Sequence, residues 1–142
     1  MSRQCFVRQF NTDQAGYIQT INWFSSLQPS FVEDTVWAAC VTALGEAVEN
    51  AIYHTHSSSE ITPLAKIEVT TTDEMIQMRI WDQGKGFNLE ERLIQLPESI
   101  PLYAERGRGL WIINQIADHF SYAQAAENLN CLTIRKFWAN KK

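Results

Sequence analysis

Two runs of alternating residues, LAKIEVTTT (64–72) and EMIQMRIWD (74–82), stand almost end to end, and no other feature constrains the fold as much. In each, apolar side chains recur at every second position, the period of a half-buried strand. The link at Thr72-Asp73 is so short that the pair reads as an antiparallel hairpin. Ile76, Met78 and Ile80 alternate with Gln77, Arg79 and Trp81. Asp82 falls in phase with the apolar set, so its carboxylate is expected on the covered side of the sheet. Gly84 and Gly86 follow at once.

Around the hairpin the chain alternates in type. QCFVRQF (4–10) reads as a first strand, and NTDQAGYIQTINWFSSL (11–27) as a helix. Asn11 to Asp13 are its capping candidates and Gly16 its weak point. A longer helix runs from about Val32 to His54, with Trp37, Val41, Leu44, Val48, Ala51 and Ile52 as one apolar stripe. After a loose segment with Pro97 and Pro101, RGLWIINQIADHF predicts a helix starting near Gly109, with Leu110, Ile113 and Ile116 inward. FSYAQAA (120–126) and NCLTIRKFW (130–138) complete the set as strands about a turn near Asn128. The order β, α, α, β, β, loop, α, β, β implies a two-layer α/β sandwich: a mixed, mainly antiparallel sheet with helices on one face. The βαβα alternation of a doubly wound parallel sheet is missing.

A chain of 142 residues is one domain by length, read here as a single unit over 1–142. The start, MSRQCFVRQF, lacks the apolar run of a signal peptide, and no segment approaches a membrane span. Cys5, Cys40 and Cys131 form an odd, scattered set without a CxxC pair, which suits free, buried thiols in a reducing cytoplasm. Net charge is −4, and no Lys/Arg cluster longer than the final pair occurs. Nucleic acid is therefore a poor candidate for a direct partner, since phosphate contacts need a positive surface.

Three stretches can carry chemistry. In GEAVENA (45–51), Glu46 and Asn50 are one turn apart on a helix face opposite Leu44, Val48 and Ala51. Ala39 and Ala43 on that side leave room for an approaching group, though E-x-x-x-N also suits a solvated face. In DQGKG (82–86), a buried carboxylate needs hydrogen-bond donors, from the protein or from a ligand such as an adenine amine. The two glycines let a flat ring lie against the main chain. A strand-ending turn in which Asp82 caps its own backbone is the plainer alternative. In ERGRGLWII (105–113), glycines and arginines alternate at a helix entrance, where free N–H groups bind phosphate. A loop with a glycine N-cap and solvated arginines is the other reading. Neither glycine pair continues into a Walker or Rossmann fingerprint.

In this order, E-x-x-x-N, D-x-G-x-G and G-x-G-L resemble the N, G1 and G2 boxes of the GHKL ATPase superfamily, which has the Bergerat fold. With GEAVENAIYH mid-chain and a short segment before ERGRGL, the chain is similar to anti-sigma factor serine kinases of the RsbW and SpoIIAB type. That resemblance implies ATP and Mg²⁺ as ligands. It implies that Asp82 accepts from the adenine amine, that Gly84 and Gly86 flank the base, and that Gly107, Arg108, Gly109 and Leu110 cradle phosphate. Asn50 would ligate Mg²⁺ through its amide oxygen. Glu46 would take the proton of an attacking serine or threonine hydroxyl. Arg106 would steady the γ-phosphate, although relatives often place a spacer where Arg106 here abuts Gly107. Residues from about Asn88 to Glu105 would form a lid over ATP.

The function so implied is an ATP-dependent serine/threonine protein kinase and cytoplasmic anti-sigma factor. It would bind a sigma factor, phosphorylate a STAS-domain antagonist and form a homodimer. Two alternatives are a nucleotide-binding regulatory module without catalysis and a stand-alone catalytic domain of a two-component histidine kinase. No segment resembles the four-helix domain that carries a phospho-accepting histidine.

Overall fold

The computed structural model describes residues 3–56, 64–83, 89, 108–126 and 129–139. Five strands and three helices follow one another as β1 (Gln4–Asn11), α1 (Gln14–Ser25), α2 (Asp34–His56), β2 (Leu64–Thr71), β3 (Met75–Gln83), α3 (Arg108–Ile116), β4 (His119–Ala126) and β5 (Leu129–Phe137). The strands form one sheet in the order β1-β2-β3-β5-β4, and every pairing among them is antiparallel. The hairpin forms with Thr72 N donating to Met75 O at 2.9 Å. The expected turn near Asn128 lies outside the described residues.

Strand phase decides which face is covered. Ile67 and Val69 on β2, Ile76, Met78 and Ile80 on β3, and Leu132 and Ile134 on β5 point inward and are essentially inaccessible. Against them lie Cys40, Leu44, Val48 and Ala51 of α2 and Ile113 of α3. Phe24 stacks on Trp37 with ring centroids 4.7 Å apart. The result is a two-layer α/β sandwich of the Bergerat type, with helices on one face. None of the described helices packs on the outer face. There Lys66 Nζ lies 4.8 Å over the Trp81 ring, and Arg135 Nε donates to Gln77 Oε1 at 2.7 Å. No helix among the described residues is long and apolar enough to cross a membrane. Of the three free cysteines only Cys40 is buried, while Cys5 sits exposed at the edge strand.

One expectation about α1 is overturned. Asp13 caps the helix, its carboxylate accepting from Gly16 N at 2.7 Å. Gly16 is therefore no weak point. The end of β1 passes so close that a Cβ on Gly16 would sit 1.8 Å from Asn11 O. Gly16→Ala should lower stability by about 1–3 kcal/mol, because the backbone must move aside to admit one methyl. A shift of the urea midpoint to lower concentration at unchanged slope is the expected observation.

The third helix is anchored at its C-terminal end. Lys136 Nζ donates to Ile116 O at 3.2 Å, where a cation also complements the helix dipole. Asp118 N donates to Arg135 O at 2.8 Å, and Phe137 N donates to Asp118 Oδ2 at 2.7 Å. The other end of α3 faces α2.

Candidate nucleotide site

Asp82 points into the covered layer, as its phase on β3 requires, and is 2% exposed. Directly opposite on β5 stands Asn130, also buried, whose Nδ2 donates to Asp82 Oδ1 at 3.1 Å. Tyr122, one strand further on β4, donates its hydroxyl to the same oxygen at 3.4 Å. Burial pushes the Asp82 carboxyl up from 3.8 to about 6, and the two hydrogen bonds pull against it. Burial and the neighbouring Asp82 carboxylate in turn push the Tyr122 hydroxyl well above its ordinary value, so it remains a donor. The backbone from Gly84 on, which an Asx turn of Asp82 would cap, lies outside the described residues.

Sequence reasoning missed Asn130 and Tyr122. The signal for Asn130 was present: it stands in phase with Leu132 and Ile134, the same polar intrusion into an apolar phase that singled out Asp82. Tyr122 carried no such mark, because an inward tyrosine on an edge strand looks like packing.

A pH prediction follows, with two opposite signs. The native carboxyl holds its proton up to about 6, whereas an unfolded one loses it near 3.8. Between those values the native state binds more protons, so this group adds stability as pH falls through the window and loses it as pH rises. The ionised form is the stronger acceptor for a purine amine, with no O–H to oppose it. Affinity for an adenine nucleotide should therefore fall as pH drops through about 6, while the fold gains stability from this group. Parallel titrations of nucleotide binding and of thermal midpoint would separate the two trends.

On α2 the exposed strip runs through Ala38, Thr42, Glu49 and Tyr53 and leaves out Glu46 and Asn50. Ala43, Leu44, Ala47, Val48 and Ala51 are all buried, so the helix is enclosed on most of its circumference, and Glu46 and Asn50 are half-buried. The room expected beside Ala43 is filled. Glu46 lies against the first turn of α3, where a Cβ on Gly109 would come within 3.1 Å of Glu46 Oε1. Burial raises the Glu46 pKa, Glu49 raises it further, and Arg108 lowers it. A half-buried carboxylate so tuned is a better proton acceptor than a solvated one.

Asn50 Nδ2 is shielded from solvent and has no hydrogen-bond partner among the described residues. A buried amide donor left this way is costly, and an acceptor such as a phosphate oxygen would satisfy it. At the head of α3, Arg108 is exposed and Gly109 partly buried. The first turn contains no acidic residue, so a cation stands where the helix dipole favours an anion. A bound phosphate would reverse that mismatch. Leu110 is buried, leaving its main chain as the part able to face a ligand.

Gly84, Gly86, Arg106 and Gly107 lie outside the described residues, as does the proposed lid except for Leu89, which is buried. A hollow of about 250 Å³ lined by Lys66, Trp81, Gln83 and Leu129 opens on the other side of the sheet from the Asp82 side chain. It is not this site. No group of three or more His, Cys, Asp or Glu side chains able to hold a metal occurs among the described residues.

An antiparallel five-stranded sheet under one helical layer, with an inward Asp on its middle strand, defines an ATPase domain of the GHKL class. The model of the histidine kinase-like ATPase domain family matches residues 11–136, and the chain belongs to that family. A search of curated proteins finds no match. Among solved structures, a chain of the SiaB–SiaC complex from Pseudomonas aeruginosa is similar in fold, with a TM-score of 0.62 and 10% identity. The similarity covers 94% of this chain and 89% of that one.

Proposed function

We propose that this domain is an ATP-dependent serine/threonine protein kinase and anti-sigma factor, acting as a homodimer in the cytoplasm. Its substrate in this reading is a STAS-domain antagonist, and its second partner a sigma factor. The observation that carries the catalytic part is Glu46: a half-buried carboxylate of raised pKa, held against the head of α3 at Gly109. Likeness to a chain from a two-protein complex supports a protein partner.

Magnesium-bound ATP supplies the phosphoryl group and the cation that offsets its charge. Asp82 accepts from the purine amine, and Gly84 and Gly86 border the base. Gly107, Arg108, Gly109 and Leu110 offer main-chain donors and charge to phosphate, and Arg106 steadies the terminal group. The Asn50 amide would serve the cation through its oxygen, which turning the amide would bring to the buried position now held by its unpartnered nitrogen. Glu46 takes the proton from the serine hydroxyl as that oxygen bonds to the γ-phosphorus and the bond to the β,γ-bridging oxygen breaks, releasing ADP. The added charge then weakens the product's hold on the kinase.

The test is transfer of ³²P from γ-labelled ATP to STAS-domain proteins. Acid-stable phosphoserine is expected. ATP binding without transfer to any such protein would leave a regulatory module, and an acid-labile product would assign the domain to histidine phosphorylation.

A further inference from the structure

We propose that Asn130 and Tyr122 are positioning residues for base selectivity, holding Asp82 so that it meets a purine as an acceptor and rejects a 6-oxo purine. The proposal rests on the nucleotide reading above and goes beyond it. Both residues donate to one oxygen of Asp82, from the neighbouring strand at 3.1 Å and from the next at 3.4 Å. An amide N–H₂ can only donate, and the tyrosine hydroxyl stays protonated beside the carboxylate. Two donors on Oδ1 stabilise the ionised form, which has no proton to give.

Burial alone favours the opposite state. With the donors removed, the carboxyl in this apolar layer keeps its proton and gains an O–H. An ionised Asp82 matches the N–H of a 6-amino purine and opposes the carbonyl of a 6-oxo purine, whereas a protonated one pairs with that carbonyl. Asn130 and Tyr122 therefore set more than orientation. They set which hydrogen-bond pattern the site displays.

Among the described residues no other ionisable group takes their place. The influences on Asp82 are burial, Asn130 and Tyr122. The Cys131 thiol, on the opposite face of β5, responds to Asp82 and has its pKa raised mainly by its own burial. On α2, which packs on β3, Glu49 acts on Glu46 and both act on Tyr17, and Arg108 of α3 acts on Glu46. Asn130 and Tyr122 are also expensive to keep unless they serve a purpose, since a leucine and a phenylalanine would fill the same layer without polar atoms.

The experiment compares ATP and inosine triphosphate binding by calorimetry in the full chain, Asn130→Leu, Tyr122→Phe and the double variant. For the unaltered chain at about pH 7.5, a preference for ATP of roughly tenfold or more is expected. The double variant should narrow the preference by about tenfold, and Tyr122→Phe alone should narrow it less. Raising the pH to about 9 should restore much of it, because the carboxyl ionises again. A purely structural role would weaken both nucleotides alike, so an unchanged ratio at both pH values overturns the proposal. If ATP binding then still depends on Asp82, the nucleotide reading survives that failure. If the unaltered chain binds neither nucleotide, both readings fall together. Tyr122→Phe removes one oxygen atom and keeps the ring, so the ratio can be read even if Asn130→Leu folds poorly.

Discussion

Asp82→Asn is expected to weaken ATP binding by about 10- to 100-fold, the loss of one charge-assisted hydrogen bond. The substitution keeps the size of the side chain and an acceptor for Asn130 and Tyr122. It removes the negative charge and places an N–H₂ where the purine amine must donate. The fold should respond in the other direction. Asp82 is buried and its pKa is raised, so its ionised form is held against a desolvation cost at neutral pH. Replacing it with a neutral amide lifts that cost, and the thermal midpoint should rise as affinity falls. Calorimetric titration beside a melting curve checks both. Unchanged affinity would remove the base-binding role from Asp82.

Glu46→Gln should reduce phosphoryl transfer by about 10²- to 10⁴-fold, the usual contribution of a positioned base. ATP affinity should change by no more than about twofold, because the side chain bears on the step and not on ground-state binding. Glutamine is chosen because Gly109 stands so close to the Glu46 oxygen that a change of size would disturb α3. Single-turnover transfer with saturating ATP reads the first quantity, and nucleotide titration the second. The acid limb of transfer should also lie above the ordinary range of a glutamate, since burial and Glu49 both raise its pKa. Full transfer in Glu46→Gln would overturn the assignment of this residue as the base.

The fold could be read from sequence because its strongest signals are periodic. Alternation along 64–82 fixed a hairpin and the inward phase of Asp82, and both stand in the structure. The long helix was equally plain, with its C-terminal limit at His56 rather than His54. What eluded the reading depends on contacts between elements distant in the chain. Gly16 looks like a helix defect until the end of β1 is seen pressing on it. Glu46 and Asn50 look solvated on a helical wheel, because a wheel of α2 carries no information about where α3 lands. Asn130 is 48 residues from Asp82, and only the register of β3 against β5 makes them neighbours. Phe24 packs in the core and Phe6 and Trp23 against it, whereas Val7, Ile18, Phe31 and Tyr53 are exposed large apolar side chains among the described residues.

The tether between Lys136 and the last carbonyls of α3 has a mechanical meaning. Clamped at its tail to β5, the helix works as a beam whose leading turn rests beside the Glu46 carboxylate. An anion captured at the tip would load the beam there, and its deflection would be felt first by α2. The sheet would act as the foundation, and its registers would stay put as the anion came and went.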